Sequence, residues 1–367
     1  MTIRFLTSGE SHGKCLNAII EGIGYGYELD FDFINNELKN RQQGKGRGGR
    51  MKIETDKIEI KSGVRFNKTT GSPICIEINN RDFANWQIPM SISKFDFEKL
   101  NEDEKNEVLQ KIEEKKITRV RPGHADLAGA IKFGADDIRD ILERSSARET
   151  ATRVAVGAIC QNILQKFGIF GSCEVVSICN ETNENKIDEK IDEAKRLGVS
   201  LGGVVRVKFR GVPVGLGSFV HWDKRIDGLF AQALMSIPAI KSVEIGLGKD
   251  VANFTGDKIH DEIFYENGKI TRHTNNAGGI EGGMTNGEEI VLTCAMKPIP
   301  TMNKALSSID IKDKSKVEAH FERADTCAVE ACATVALNMA SIILLNAFFD
   351  KFGGDSYIET KRNYEAR

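Results

Sequence analysis

Hydrophobic positions recur along this chain with two different periods, and the switches between them mark out its elements. Ile34 and Leu38 fall four apart and predict a helix over Asp32–Arg41, with Asp30 or Asp32 as its cap. Val154, Ala158, Ile159, Ile163 and Phe167 repeat at helical spacing and predict a helix over Glu149–Phe167. Lys186–Arg196 reads as a polar helix, with lysines and carboxylates three to four apart. Asp223–Ile237 reads as an amphipathic helix and Asp325–Phe349 as a long apolar one. Ile3–Leu6 and Leu16–Ile20 read as short strands. Lys57–Lys61, Ile74–Ile78 and Gly203–Arg210 alternate as strands do, and Glu289–Ala295 is an apolar strand. The strands cluster without regular β–α alternation. That predicts an α+β fold with antiparallel sheets rather than a doubly wound sheet.

No fixed-period repeat or low-complexity linker divides the chain, so residues 1–367 read as one domain. Two stretches stand apart from it. Ser91–Lys116 is densely charged and reads as a solvated helix or surface excursion. The polar tail after Lys351 reads as flexible.

Composition narrows the setting. The chain is 40% apolar and 28% charged with net charge −2, so any anion site must be a local basic patch rather than a global field. The eight cysteines form no C-x-x-C pair and sit mostly in apolar runs, which predicts reduced, mostly buried thiols in a cytoplasmic protein. The N-terminal residues show no basic-then-apolar leader pattern. Cys327–Phe349 has membrane length, but Glu330, Asn338 and Asn346 argue for a buried helix and no membrane association.

The chemistry concentrates in four stretches: Gly9–Gly13, Arg121–Asp126, Arg144–Thr150 and Asn275–Gly283. Each sets glycine or another small residue beside His, Arg, Ser or Asn. Small residues admit close backbone approach to a ligand. Histidine moves protons near neutral pH, and arginine forks match phosphate and carboxylate. His12 and His124, each in a Gly-flanked polar loop, are the candidate acid–base groups. His221, His260 and His320 read as structural or surface residues. Arg144 and Arg148 flank Ser145 and Ser146 at a helix start, a ready anion pocket. Asp325, at the entry of the long apolar helix, reads either as its cap or as a carboxylate aimed into a site. Lys297-Pro298-Ile299-Pro300-Thr301 reads as a rigid turn, able to wall a pocket. Cysteine and histidine spacings match no zinc pattern, so no metal is expected.

Taken together, Gly9–Gly13, Arg121–Asp126, Ser145–Thr150, Ala233–Ala239, Val243–Gly246, Asn276–Gly283 and Lys297–Thr301 closely resemble chorismate synthases, in that family's order and across nearly the whole chain. The resemblance implies a helical layer sandwiched between antiparallel β-sheets and a homotetramer. It implies a lyase converting 5-enolpyruvylshikimate-3-phosphate to chorismate and phosphate by anti-1,4-elimination. Reduced FMN is required without net redox change, with NADPH as reductant directly or through an external flavin reductase. It places His12 near the leaving phosphate, His124 beside the flavin, and Asp325 in removal of the C6 hydrogen. Substrate falls to Ser11, Arg41, Arg47, Arg121, Arg148 and Arg323. Flavin falls to Arg144, Ser145, Ser146, Pro238, Ala239, Gly282, Lys297, Pro298, Ile299, Pro300, Thr301 and Arg323, with Arg41 and Arg47 also at NADP-contact positions.

This chain departs from the family twice. Arg323-Ala324-Asp325-Thr326-Cys327 stands where the family commonly reads Arg-His-Asp-Pro-Cys, and the loop Gln42–Gly49 lacks a common proline. Two rival readings remain: an NADPH-dependent flavin reductase, and a nucleic-acid-binding module built on the Gly44–Arg50 loop. The absence of a dinucleotide fingerprint disfavours the first, and the net charge with no interleaved aromatics disfavours the second.

Overall fold

The computed structural model describes residues 2–49, 53–322 and 324–367. Its centre is a pair of helices, Thr150–Gln165 and Val329–Phe352, packed along each other. Nearly every residue of both is buried, because a β-sheet covers the pair on either side. A helix covered on both sides needs apolar residues all round, which is why neither shows a single stripe. The first sheet runs Arg4–Ser8, Cys15–Glu21, Ile74–Asn79, Glu59–Ser62, antiparallel throughout. The second runs Ile240–Ile245, Ile290–Met296, Gly203–Arg210, Phe170–Ile178, also antiparallel. The fold is therefore α+β with a sandwiched helical layer. One large apolar cluster joins both sheets and both helices.

The Val329–Phe352 helix is long and apolar enough to cross a membrane, yet 89% of its apolar window is buried inside the protein. Its polar residues are matched. Asn338 Nδ2 donates to Glu37 Oε2 at 2.9 Å and its Oδ1 accepts from Gln161 at 2.9 Å. Asn346 Oδ1 accepts the Ile3 N–H, and Glu330 Oε1 accepts the Lys45 N–H. Buried polar groups persist when they are paired in this way.

Close approach of the two central helices depends on Gly157. A Cβ there would lie 2.3 Å from the Asn338 carbonyl oxygen. Gly157→Ala adds helix propensity of about 0.5–1 kcal/mol, but overpacking against backbone costs about 1–3 kcal/mol. The expected net result is a lower Tm in thermal denaturation; an unchanged or raised Tm would show that the helices can part at no cost.

Three expectations are corrected. The long helix starts at Val329, with Ala328 as an N-cap that makes no side-chain bond, so Asp325 does not cap it. The tail is ordered: Tyr357–Glu365 is a helix whose Ser356 and Glu359 form a capping box. It is tied down by Tyr27 Oη donating to the buried Thr360 Oγ1 at 2.7 Å, and by Tyr364 packing on Phe348 and Phe352. The charged excursion does form a solvated helix, Glu102–Lys115, but its end is not mere surface, because Glu114 and Lys115 line the main cavity.

Candidate active site

The loops singled out in the sequence converge at one end of the helical layer, around a cavity of about 830 Å³. Small-molecule sites span roughly 300–1,000 Å³, so this one has room for two small ligands side by side. Its floor is apolar: Ala328, Ala331, Cys332 and Val335 from the long helix, with Ile237, Met296 and Ile299. Burial pushes the Cys332 thiol up to about 12, so that side chain is a neutral part of the floor.

The walls are cationic. Arg41, Arg47, Arg121, Arg139, Arg148, Lys115 and Lys297 all reach the lining. Arg41 and Arg148 share the buried carboxylate of Asp56, at 3.4 Å and 2.7 Å. Burial, partly offset by Asp56, lowers the Arg41 guanidinium to about 10, still charged at neutral pH. Arg148 Nη2 is buried and makes no hydrogen bond among the described residues, with Glu54 3.7 Å away.

His12 comes from the loop between the first two strands, where Gly9 at φ +102° leaves room for the Cys15 carbonyl. Glu143, on the Arg139–Ser145 helix, meets His12 Nδ1 at 2.7 Å. Trp86 stacks on the imidazole, its ring centroid 4.0 Å away. His124 sits on the opposite motif, 2.5 Å from Asp126. Burial would raise the Asp126 carboxyl, but hydrogen bonds from His124 and Arg121 and the Arg121 charge hold it well below the usual carboxylate range. Arg121 Nη1 also donates to Thr301, and Lys297 Nζ donates to the Gly123 carbonyl, which joins this motif to the Lys297–Thr301 turn. Ala239 lines the cavity at φ +72°, a left-handed conformation that non-glycine residues adopt only when their surroundings impose it.

Asp325 is held by the basic loop. Its Oδ1 accepts the Gly48 N–H at 2.6 Å, and its Oδ2 lies 3.4 Å from Arg47 Nε. The loop is itself docked: Gly46 O accepts the Thr326 N–H, and Lys45 pairs with Asp192.

The lining thus brings together Ser11, His12, Arg41, Arg47, Arg121, His124, Ser145, Ser146, Arg148, Pro238, Ala239, Lys297, Ile299, Pro300, Thr301 and Asp325. Three candidates lie outside it. Arg144 is exposed and braces the Thr7 and Gly9 carbonyls. Pro298 is exposed on the outer side of its turn, and Gly282 sits in the turn between Ile280–Glu281 and Met284–Thr285. Arg323 lies outside the described residues.

Sequence reasoning missed part of the lining. His320, set aside as structural, lines the cavity 3.5 Å from Glu322. Burial would raise the Glu322 carboxyl, but His320 and Arg139 hold it at about 2. Trp86, Asp82, Asn85 and Arg139 also reach the site. The Arg139-x-x-x-Glu143 spacing was the one available signal, and it reads equally well as a surface helix pair. Among the described residues, no group of three or more His, Cys, Asp or Glu is placed to hold a metal.

An α+β sandwich carrying a cationic cavity, with two carboxylate-held histidines over an apolar floor, defines an enzyme acting on small anionic molecules. The comparisons narrow this further. A family model described as chorismate synthase matches residues 3–349. Chorismate synthase of Thermoanaerobacter pseudethanolicus is 49% identical over 365 residues, covering 99% of this chain and 98% of that protein. The one from Geotalea daltonii is 47% identical over 395 residues, covering 98% and 97%. A crystal structure of chorismate synthase superposes with a TM-score of 0.75 at 40% identity, covering 100% of this chain and 97% of that one. The chain belongs to the chorismate synthase family and is a lyase.

Proposed function

We propose that this protein converts 5-enolpyruvylshikimate-3-phosphate to chorismate and phosphate, with reduced FMN bound in the same cavity. The observation that carries the reading is the convergence of His12, His124, Asp325 and five arginines on one space with an apolar floor. The residues present fit a flavin. A flat ring system suits the Ala328–Val335 face and Ile237–Ala239, and a terminal phosphate suits Ser145 and Ser146 with Lys297. When bound, the reduced flavin supplies electron density to an allylic system that is losing phosphate.

The protein's own groups do the rest. The substrate carries about −4 in total if its phosphate is near −2. Arg41, Arg47, Arg121 and Arg148 offset that charge and set the register of its carboxylates and phosphate. His12 protonates the departing phosphate, which lowers the barrier to C–O cleavage. His124 holds a proton at the flavin edge of the cavity, and Asp325 takes part in removal of the C6 hydrogen. Trp86 and the apolar floor keep water from the reacting carbons.

The same reading makes the protein a cytoplasmic homotetramer that acts on a small molecule and binds neither nucleic acid nor membrane. Phe219, Val220 and Trp222, each more than 70% exposed, offer an apolar surface for assembly. NADPH serves as the ultimate reductant, through an external flavin reductase.

The test is anaerobic. Purified protein, reduced FMN and 5-enolpyruvylshikimate-3-phosphate are mixed, and chorismate and free phosphate are followed together. Equal formation of both, absent with oxidised FMN, is expected. Folded protein that binds FMN and releases neither product would overturn the reading. NADPH oxidation with FMN alone would reassign the reduction step to this chain.

A further inference from the structure

The two cavity histidines are held by the same arrangement, assembled from unrelated parts of the chain. The side chain of Glu143 is fully buried, and it accepts from His12 Nδ1 at 2.7 Å and from the His12 backbone N–H at 2.6 Å. Arg139 Nη1 completes it at 3.2 Å. Asp126, equally buried, lies 2.5 Å from His124 Nδ1 and accepts from Arg121 Nε and Nη2 at 2.8 and 2.9 Å.

A carboxylate only accepts, so Nδ1 carries the hydrogen in both histidines. Arg121 Nη2 also lies 3.0 Å from His124 Nδ1. Two donors cannot bond to each other, so that approach follows from both serving Asp126. The arginine in each triplet compensates its carboxylate, which can then stay ionised while buried. Trp86 adds a constraint at His12. Its indole stacks on the imidazole at an interplanar angle of 24°, and Lys115 and Arg139 lie over the same indole at 4.6 and 5.0 Å. The ring is thereby fixed in plane as well as in direction. Its Nε2 is on the edge away from Glu143, 3.9 Å from Asp82 Oδ2.

We propose that Glu143 and Asp126 are positioning residues that lock His12 and His124 in the Nδ1–H form. Nε2 is then the nitrogen through which each exchanges a proton with the cavity's occupants. Which ring nitrogen titrates is set by the hydrogen bond the other makes, and buried carboxylates hold the histidine of serine-protease triads in this way. The inference rests on the reading of both histidines as proton-handling groups.

The experiment uses the full-length protein, 15N-labelled at histidine. Long-range 1H–15N spectra are recorded at a pH where the imidazoles are neutral, and signals are assigned by their loss in H12Q and H124Q. Both histidines are expected as Nδ1–H tautomers. E143A shifts His12 toward a tautomer mixture and leaves His124 unchanged. It lowers kcat by about 10- to 100-fold, the range seen when the partner that orients a metal-ligating histidine is lost, with little change in KM. E143Q, which keeps an acceptor oxygen, recovers part of the loss, and D126N reports on His124 in the same way. An Nε2–H tautomer at either histidine in the wild type overturns the proposal. So does an E143A protein of native Tm with unchanged kcat. If both tautomers are as stated but the wild type makes no chorismate, the positioning stands and the reading of the reaction fails.

Discussion

His12→Ala and His124→Ala are each expected to lower kcat by about 10²-fold or more, the scale of a lost general acid or base. The reason lies in what surrounds them. Each imidazole is clamped through Nδ1 by a buried carboxylate, so the ring meets the cavity in one orientation. Asp82 Oδ2 lies 3.9 Å from His12 Nε2. Lys115 is committed to the Trp86 ring. On the proposed roles, loss of His12 leaves the phosphate to depart unprotonated, and loss of His124 removes a proton store. Steady-state assays under anaerobic conditions, with circular dichroism as a control for folding, measure both. Wild-type turnover in a folded His124→Ala protein would remove that residue from the chemistry.

Asp325→Asn is expected to leave FMN bound while turnover slows by a comparable factor. The substitution preserves an acceptor oxygen for the Gly48 N–H, so the basic loop keeps its anchor. It removes the charge that faces Arg47 and, on the proposed role, the base for C6 hydrogen removal. Flavin fluorescence titration reads the first quantity and product formation the second. If FMN binding vanished in a folded Asp325→Asn protein, the residue would organise the site rather than move a proton. Ala324 and Thr326 flank Asp325, and the Thr326 N–H is anchored on Gly46 O, which ties this segment to the basic loop.

Much of the fold was legible in the sequence because its elements have distinct periods. Helices over Phe31–Gln42, Thr150–Gln165 and Glu184–Leu197, and strands at Cys15–Glu21, Ile74–Asn79 and Gly203–Arg210, lie where the spacing of apolar residues put them. The errors came where local sequence carries two meanings. Asp325 has the composition of a helix cap, but the chain from Ala324 to Ala328 stays irregular to wall the cavity. The last residues are polar enough to read as loose. Their order comes from the buried Thr360 hydroxyl, bonded to Tyr27, and from Tyr364, which packs on Phe167, contacts far away in sequence.

The site divides along the same line. Gly-flanked histidines, an arginine-rich helix entry and a proline-stiffened turn are local patterns, and each declares its chemistry through residue type alone. Trp86, Glu143 and His320 declare nothing locally. A tryptophan between Asn85 and Gln87, a glutamate in a short helix and a histidine near a strand end reach the cavity only through what packs on them. By itself, then, the sequence determined the elements, the α+β class and the stretches that carry chemistry, because periodicity and side-chain type are short-range properties. Only the tertiary structure decided which loops share a cavity, which carboxylate holds which histidine and where Asp325 points. The contacts of His12 with Glu143 and of Gly48 with Asp325 join residues more than a hundred positions apart and no local pattern encodes them, whereas Asp126 holds His124 from two positions away.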